Sequence, residues 1–302
     1  MELGLIGLGR MGANMAQRLV RGGHRVVGFD LDDAARTAAA GAGAEIAAGA
    51  EALLAMLATP RVVWLMVPAG AAVDGVIESL LPRLSAGDVV VDGGNSNYRD
   101  TLRRAASLAE GDVSLVDVGT SGGVWGLDEG YSMMVGGSPG AVERLRPTLE
   151  TLAPAPDRGW GRVGPPGAGH FVKMVHNGIE YALMEAYAEG FALLRAREDF
   201  GLDLHGVAEI WRHGSVVRSW LLDLIARALD TDPDMAAVAP FVPDSGEGRW
   251  TVHEAIDLEV EVPAIAMALM RRFDSRDDFD FSDRLISAMR GQFGAHAVKP
   301  SE

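Results

Sequence analysis

The chain has no cysteine, two lysines, and no apolar run approaching the ~18 residues needed to span a bilayer. Without cysteine there is no disulfide, no thiolate nucleophile and no cysteine-ligated zinc, and the chain needs no oxidising compartment. The start MELGLIG lacks the basic segment and small-residue cleavage site of a signal peptide, so the sequence predicts a cytoplasmic protein with no membrane partner. Basic side chains are in deficit: 27 against 42 acidic ones give a formal charge of −15. Nucleic-acid binding relies on a basic face and is not expected here. An anionic substrate would have to be held by a few local cations against the general field. The histidines are scattered: His205 and His213 stand eight apart, and His24 and His253 lack acidic or histidine partners at useful spacing, so no metal site is expected.

What is present is enough for one large or two ordinary domains, since 302 residues are 48% apolar. In the first half short apolar runs alternate with helical stretches. Leu3–Gly7, Arg25–Asp30, Val62–Val67, Asp88–Asp92 and Val113–Val118 read as strands, and the run Met11–Val20 as the first helix. Continuous apolar strands separated by helices imply a parallel sheet covered on both faces, a doubly wound α/β domain. After the Gly-, Pro- and Trp-rich stretch 157–169 helical patterns take over: Phe171–Arg197, Leu204–His213, Ser219–Leu229, Thr251–Phe273 and Asp283–Arg290. We therefore expect an α/β domain over 1–163 and an all-α domain over 164–302.

Gly7-x-Gly9-x-x-Gly12 lies between the first strand and the first helix. Glycines there allow a tight turn and close backbone approach to a pyrophosphate, and the free N–H groups and dipole of the helix start favour an anion. Asp30 ends the next strand 23 residues after Gly7, near the ~20 at which a carboxylate meets an adenosine ribose. The first domain is thus expected to be a Rossmann-type dinucleotide-binding sheet. Asp30, Asp32 and Asp33 crowd the place where a 2′-phosphate would sit, which favours NAD over NADP, with Arg36 as the one cation able to weaken the preference.

The two lysines are Lys173 and Lys299, in a chain whose other 25 basic residues are arginine. A desolvated lysine can lose its proton near neutral pH and arginine cannot, so Lys173 is a candidate proton carrier. It opens the run Lys173-Met-Val-His176-Asn177-Gly-Ile-Glu180-Tyr181. At about 100° per residue, positions 173, 176, 177, 180 and 181 share a stripe about 140° wide. Phe171, Val172, Val175, Ile179 and Leu183 take other directions. The expected helix packs on these apolar sides and turns its proton carriers to a cleft.

The run Gly167-Ala-Gly-His-Phe-Val-Lys-Met-Val-His-Asn-Gly-Ile-Glu-Tyr181 resembles the signature of the decarboxylating 6-phosphogluconate dehydrogenases. Gly7-Leu-Gly-Arg-Met-Gly-Ala-Asn14, Asp92-Gly-Gly-Asn-Ser-Asn97, Ser121-Gly-Gly123 and the tail Arg290-Gly-Gln-Phe-Gly-Ala-His296 agree with it, in the family's order. The wider β-hydroxyacid dehydrogenase group shares the glycine motif and a lysine. The Asn95 block and His-Asn-Gly-Ile-Glu-Tyr are more specific to the phosphogluconate branch.

The resemblance implies oxidation of 6-phosphogluconate with NAD, loss of carbon dioxide and release of ribulose 5-phosphate. It places Gly7, Leu8, Gly9, Arg10, Met11, Gly12, Asp30, Val67 and Asn95 at the cofactor. Asn95 would lie between nicotinamide and substrate, and Ser121, Gly122 and Gly123 would hold the carboxylate and nearby hydroxyls. Lys173 would be the general base and Glu180 the general acid, with Asn177 and His176 on the sugar hydroxyls. Tyr181, Arg271 and Arg290 would hold the phosphate, with His296 also at the site. In the family the Arg–His tail comes from a neighbouring subunit, which implies a homodimer or homotetramer. The chain departs from the family where a phosphate-binding lysine is usual: Asp244-Ser-Gly-Glu-Gly-Arg-Trp250 contains none, and Arg249 is the nearest substitute. The rival readings are a 3-hydroxyisobutyrate or tartronate semialdehyde type of enzyme, which needs neither Glu180 nor the phosphate arginines, and a dinucleotide-sensing protein without catalysis, which leaves the polar stripe unexplained.

Overall fold

The structure is a computed structural model that describes residues 1–276 and 281–294, the side chains at 287 and 290–294 excepted. The chain divides into two compact units, Met1–Asn177 and Gly178–Glu302.

The first unit is built on strands β1 (Glu2–Ile6), β2 (Arg25–Phe29), β3 (Glu45–Ile46), β4 (Val62–Leu65), β5 (Val89–Asp92), β6 (Ser114–Ser121), β7 (Ser132–Gly136) and β8 (Trp160–Gly164). Between them run α1 (Arg10–Arg21), α2 (Asp33–Gly41), α3 (Ala50–Ala55), α4 (Ala71–Leu80), α5 (Tyr98–Ala109), the single turn α6 (Gly126–Glu129) and α7 (Pro139–Leu152). The strands form one sheet in the order β3-β2-β1-β4-β5-β6-β7-β8. Side chains alternate across a strand, and the central strands feed two cores accordingly. Val62 and Trp64 of β4 and Val89 and Val91 of β5 enter one core with Leu3, Leu5 and Leu19. Val63, Leu65 and Val90 enter the other with Leu53 and Ile77. Both faces are therefore covered, which is why these strands are apolar throughout.

Two expectations about elements are corrected. The sheet is not wholly parallel, because β7 runs antiparallel to β6 and β8 parallel to β7. Neither strand was legible: β7 (Ser-Met-Met-Val-Gly) is short, and β8 lies inside the Gly- and Pro-rich stretch that reads as turn. Similarly, the single helical pattern over Thr251–Phe273 is two helices, α11 (Glu247–Asp257) and α12 (Pro263–Asp274). Pro263 has no N–H to give and opens the second.

The remaining helices are α8 (Ala168–Ala196), α9 (Leu204–Arg212), α10 (Trp220–Thr231) and α13 (Phe281–Gly294). α8 belongs to the first unit up to Asn177 and to the second from Gly178 onward. In the second unit Ala208, Leu222, Ala226 and Leu229 pack with Tyr187 and Phe191, and Tyr181, Ala268 and Leu269 form a smaller cluster with Val252 and Phe273. None of the helices, among the described residues, is long and apolar enough to cross a membrane.

Candidate active site

The glycine turn follows β1 at the point where the sheet order reverses, between β1 and β4, the usual ligand position in such sheets. Gly7 has φ +96°, and a Cβ there would stand 2.5 Å from the Met66 carbonyl oxygen. A Cβ on Gly12 would stand 1.9 Å from the Gly7 oxygen, so this glycine lets the helix close on the turn. Gly9 differs, with nothing within 4 Å of its Cβ position. It is also the N-cap of α1 and offers no side chain to the first-turn N–H groups of Arg10, Met11 and Gly12. Open space before uncapped N–H groups fits a pyrophosphate. The Asp30 carboxylate is held across the turn, accepting from the Leu8 N–H at 2.6 Å and the Asp32 N–H at 2.8 Å. Arg36 donates to the Asp30 carbonyl and pairs with Asp33, so its charge is partnered beside the Asp30 turn. Val67 follows the end of β4.

Asn95 adopts a left-handed conformation, φ +54°. Its amide pairs with the backbone of Thr120 in both directions: Oδ1 accepts from the Thr120 N–H at 2.8 Å and Nδ2 donates to the Thr120 carbonyl at 3.1 Å. The side chain thereby ties the turn after β5 to the end of β6, where Ser121, Gly122 (φ +129°) and Gly123 (φ +54°) follow. Lys173 packs against the same strand. A Cβ on Gly119 would lie 2.4 Å from the Lys173 Cβ, so the absent side chain is what admits the lysine. Lys173 is 5% exposed. Its Nζ donates to Asn177 Oδ1 at 2.7 Å and stands 3.4 Å from His176 Nδ1.

The polar stripe of α8 exists, but its surroundings reverse the expectation. Lys173 and Tyr181 are buried, while Val172, Ile179 and Leu183, expected to pack, are 36%, 51% and 45% exposed. Helical spacing places residues on faces and says nothing about which face the chain itself covers.

Further along α8, in the second unit, Glu180 is half-buried. The Tyr181 hydroxyl accepts from the Ser245 N–H at 3.2 Å. Arg272 stacks on the Tyr181 ring, its guanidinium carbon 3.6 Å from the ring centre, and donates to the Pro243 carbonyl. Arg271 points elsewhere, to Glu185 and Asp274. Asp244 gathers two more cations. Arg249 grips it through two bonds of 2.9 and 3.0 Å, and Arg276 adds a third of 2.9 Å. The Arg249 hydrogen bonds hold the Asp244 carboxyl below the usual carboxylate range, with Arg276 adding to the effect. Both guanidiniums also lie over Phe273. Ser245, Arg272 and Arg276, which the sequence reading did not assign, also lie around Tyr181 and Asp244; Arg272 is on α12 and Arg276 is two residues past its end. Arg290 lies on α13 without a described side chain, and His296 lies outside the described residues.

The fold is that of a dinucleotide-binding sheet followed by a helix with a buried lysine and a helical unit, the architecture of a two-domain dinucleotide-dependent oxidoreductase. Residues 2–161 match the NAD binding domain of 6-phosphogluconate dehydrogenase, and residues 186–302 match the C-terminal domain of 6-phosphogluconate dehydrogenase. The chain belongs to the 6-phosphogluconate dehydrogenase family. It is 48% identical to the NAD(+)-dependent, decarboxylating 6-phosphogluconate dehydrogenase of Haloferax volcanii over 99% of this chain and 98% of that protein. It is 41% identical to the putative 6-phosphogluconate dehydrogenase YqeC of Bacillus subtilis, over 99% of each. Among solved structures, the 6-phosphogluconate dehydrogenase of Plasmodium falciparum superposes with a TM-score of 0.83 at 28% identity, covering 100% of this chain and 67% of that one.

Proposed function

We propose that the chain catalyses the oxidative decarboxylation of 6-phosphogluconate to ribulose 5-phosphate with NAD. The observation that carries this reading is the Lys173 amine, buried against Gly119, one residue along β6 from the Thr120–Asn95 pairing, and held by Asn177. The bound nicotinamide supplies a hydride acceptor for the third carbon of the sugar acid. Lys173, starting neutral, removes the proton of that carbon's hydroxyl. The product is a β-keto acid. The lysine, now protonated, donates to the new ketone and stabilises the enolate charge that develops as carbon dioxide leaves. Glu180 then protonates the first carbon of the enediol, and Asn95 and Asn177 fix the geometry.

In this reading Gly7, Leu8, Gly9, Arg10, Met11, Gly12, Asp30, Val67 and Asn95 hold the cofactor. Ser121, Gly122, Gly123 and His176 hold the sugar acid. Tyr181 and Arg272 hold the phosphate, with Arg249, Arg276, Arg290 and His296 contributing charge or shape. Arg272 takes the place given to Arg271 on sequence, because it is the arginine stacked on Tyr181. The boundary between cofactor and substrate domains is placed at 163/164, ahead of α8. Occupation of Arg36 by Asp33 and the Asp30 carbonyl supports NAD over NADP.

Incubating the purified protein with 6-phosphogluconate and NAD while following NADH and carbon dioxide together tests the proposal. Equal amounts of both are expected. NADH without carbon dioxide assigns a simple hydroxyacid dehydrogenase, and neither product rejects the reading. A higher kcat/KM with NADP than with NAD rejects the cofactor assignment. A homodimer or homotetramer working in the cytoplasm completes the proposal, supported by the uncovered apolar side of α8. Ile179→Glu, which places a charge on that side, should lower the sedimenting mass to that of one chain; an unchanged mass moves the interface elsewhere.

A further inference from the structure

One buried histidine has no part in the reaction as derived. His170 is 1% exposed and stands one helical turn before Lys173 on α8. Its three polar atoms each reach a different element. Nε2 lies 3.1 Å from the carbonyl oxygen of Asp92, the last residue of β5. Nδ1 lies 2.7 Å from the Thr101 hydroxyl on α5. The backbone N–H donates to Asp117 Oδ2 on β6 at 2.8 Å, and Gly167 N–H donates to the other oxygen of the same carboxylate at 2.7 Å. A carbonyl only accepts, so the ring carries a proton on Nε2, while the Thr101 hydroxyl beside Nδ1 also reaches the Asn97 carbonyl at 3.3 Å.

Asp92 is the partner that gives this arrangement its meaning. Its carboxylate accepts from the Gly94 N–H at 3.1 Å and the Ser96 hydroxyl at 2.8 Å, bracketing the Asn95 turn, and from the buried Arg104 at 3.3 Å. The turn that orients Asn95 and the helix that carries Lys173 thus meet at one imidazole. Resting on the reading above, we propose that His170 is a positioning residue: bonded to the Asp92 carbonyl and Thr101, it sets the distance between the Asn95 turn and the Lys173 amine. A shift of about 1 Å between two such groups costs up to about 100-fold in rate, enough to make this contact matter.

The test compares His170→Phe, which keeps a ring and loses both bonds, with His170→Gln, which restores a donor, and with the near-isosteric Thr101→Val. Two readouts are taken: steady-state kinetics with 6-phosphogluconate and NAD, and the side-chain resonances of lysine labelled at its ε-carbon. With two lysines in the chain the spectrum is simple, and Lys173→Arg assigns the signal. H170F should lower kcat between about tenfold and about 100-fold. The KM for NAD should stay within about twofold, H170Q should recover part of the loss, and T101V should lower kcat about fivefold. The Lys173 resonance should move in H170F and in T101V. Should H170F fail to fold, T101V decides alone. Folded variants with kcat within about twofold of the parent, or with an unmoved Lys173 resonance, overturn the proposal, as does a loss of NAD binding in step with turnover. A parent protein that releases no NADH from 6-phosphogluconate sinks the functional reading instead, and the Lys173 resonance then decides the positioning role by itself.

Discussion

The two units handle apolar and polar groups in opposite ways. Among the described residues, six large hydrophobic side chains are exposed in Met1–Asn177 and twenty-two in Gly178–Glu302. The first unit encloses most of its large apolar side chains, and the second leaves many of them at its surface. Their charges differ in the same sense. In the first unit Asp92, Asp117, Arg104, His170 and Lys173 are all nearly inaccessible and multiply bonded, which leaves little freedom at the turns they hold. In the second, Arg249 and Arg271 are exposed and Arg272 is half-buried, and they pair with Asp244, with Glu185 and Asp274, and with the Pro243 carbonyl in turn. Reacting groups gain from a fixed frame, and anion-binding groups gain from charges that can be redirected to a ligand. On this reading substitutions of the proton carriers act on kcat, and those of the open arginines of the second unit act on KM.

The largest expected effect tests the first half of that contrast. Lys173→Arg keeps the charge and removes a usable base, so kcat should fall at least about 100-fold with the substrate KM little changed. Turnover near that of the parent would remove Lys173 from proton transfer. A tenfold smaller consequence, of a different kind, is expected in the second unit. Arg272→Ala should raise the KM for the phosphorylated substrate about tenfold with kcat nearly constant, the size of one charge-assisted hydrogen bond. Arg271→Ala, whose guanidinium serves Glu185 and Asp274, should change it less than about twofold. The opposite ranking would restore the assignment made on sequence.

The same contrast explains which features were legible. The sheet and its glycine turn were, because alternating cores and close backbone approaches leave marks at single positions: Val-Val-Val in β5, glycine where a Cβ would strike Met66. The lysine helix was legible as a pattern, but its environment was not. Helical spacing assigned Val172 and Ile179 to a packed face, and the structure leaves both exposed, because spacing sets which residues share a face and not what covers it. Arg271 and Arg272 show a second limit. Adjacent arginines are indistinguishable by composition, and a rotation of about 100° along the helix separates them. Thr101 and Asp117 carried no sequence signal, and His170 stood inside the run 167–181 without an assigned role, since their significance is one of mutual distance between β5, β6, α5 and α8.

A pair of tyrosines gives the finest test. Tyr131, in the first unit, is fully buried and its hydroxyl has no hydrogen-bond partner among the described residues. Burial pushes its pKa up from 10.0 to about 12, with Arg18 opposing weakly. The folded state therefore favours the protonated hydroxyl, so this group's contribution to stability is complete below pH 10 and is lost as pH rises through 10 towards about 12. Tyr131→Phe relieves an unpaired polar group and should stabilise the protein by about 1 kcal/mol at neutral pH. Its melting temperature should also fall less steeply above pH 10. Tyr181→Phe removes a hydroxyl that accepts from the Ser245 N–H, and should lower stability by a similar amount or raise the substrate KM. Thermal melts at pH 7 and pH 11 separate the two. Equal signs for both variants would mean that polar groups in the two units are satisfied to the same degree, and the contrast between a fixed frame and a redirectable one would lose its smallest support.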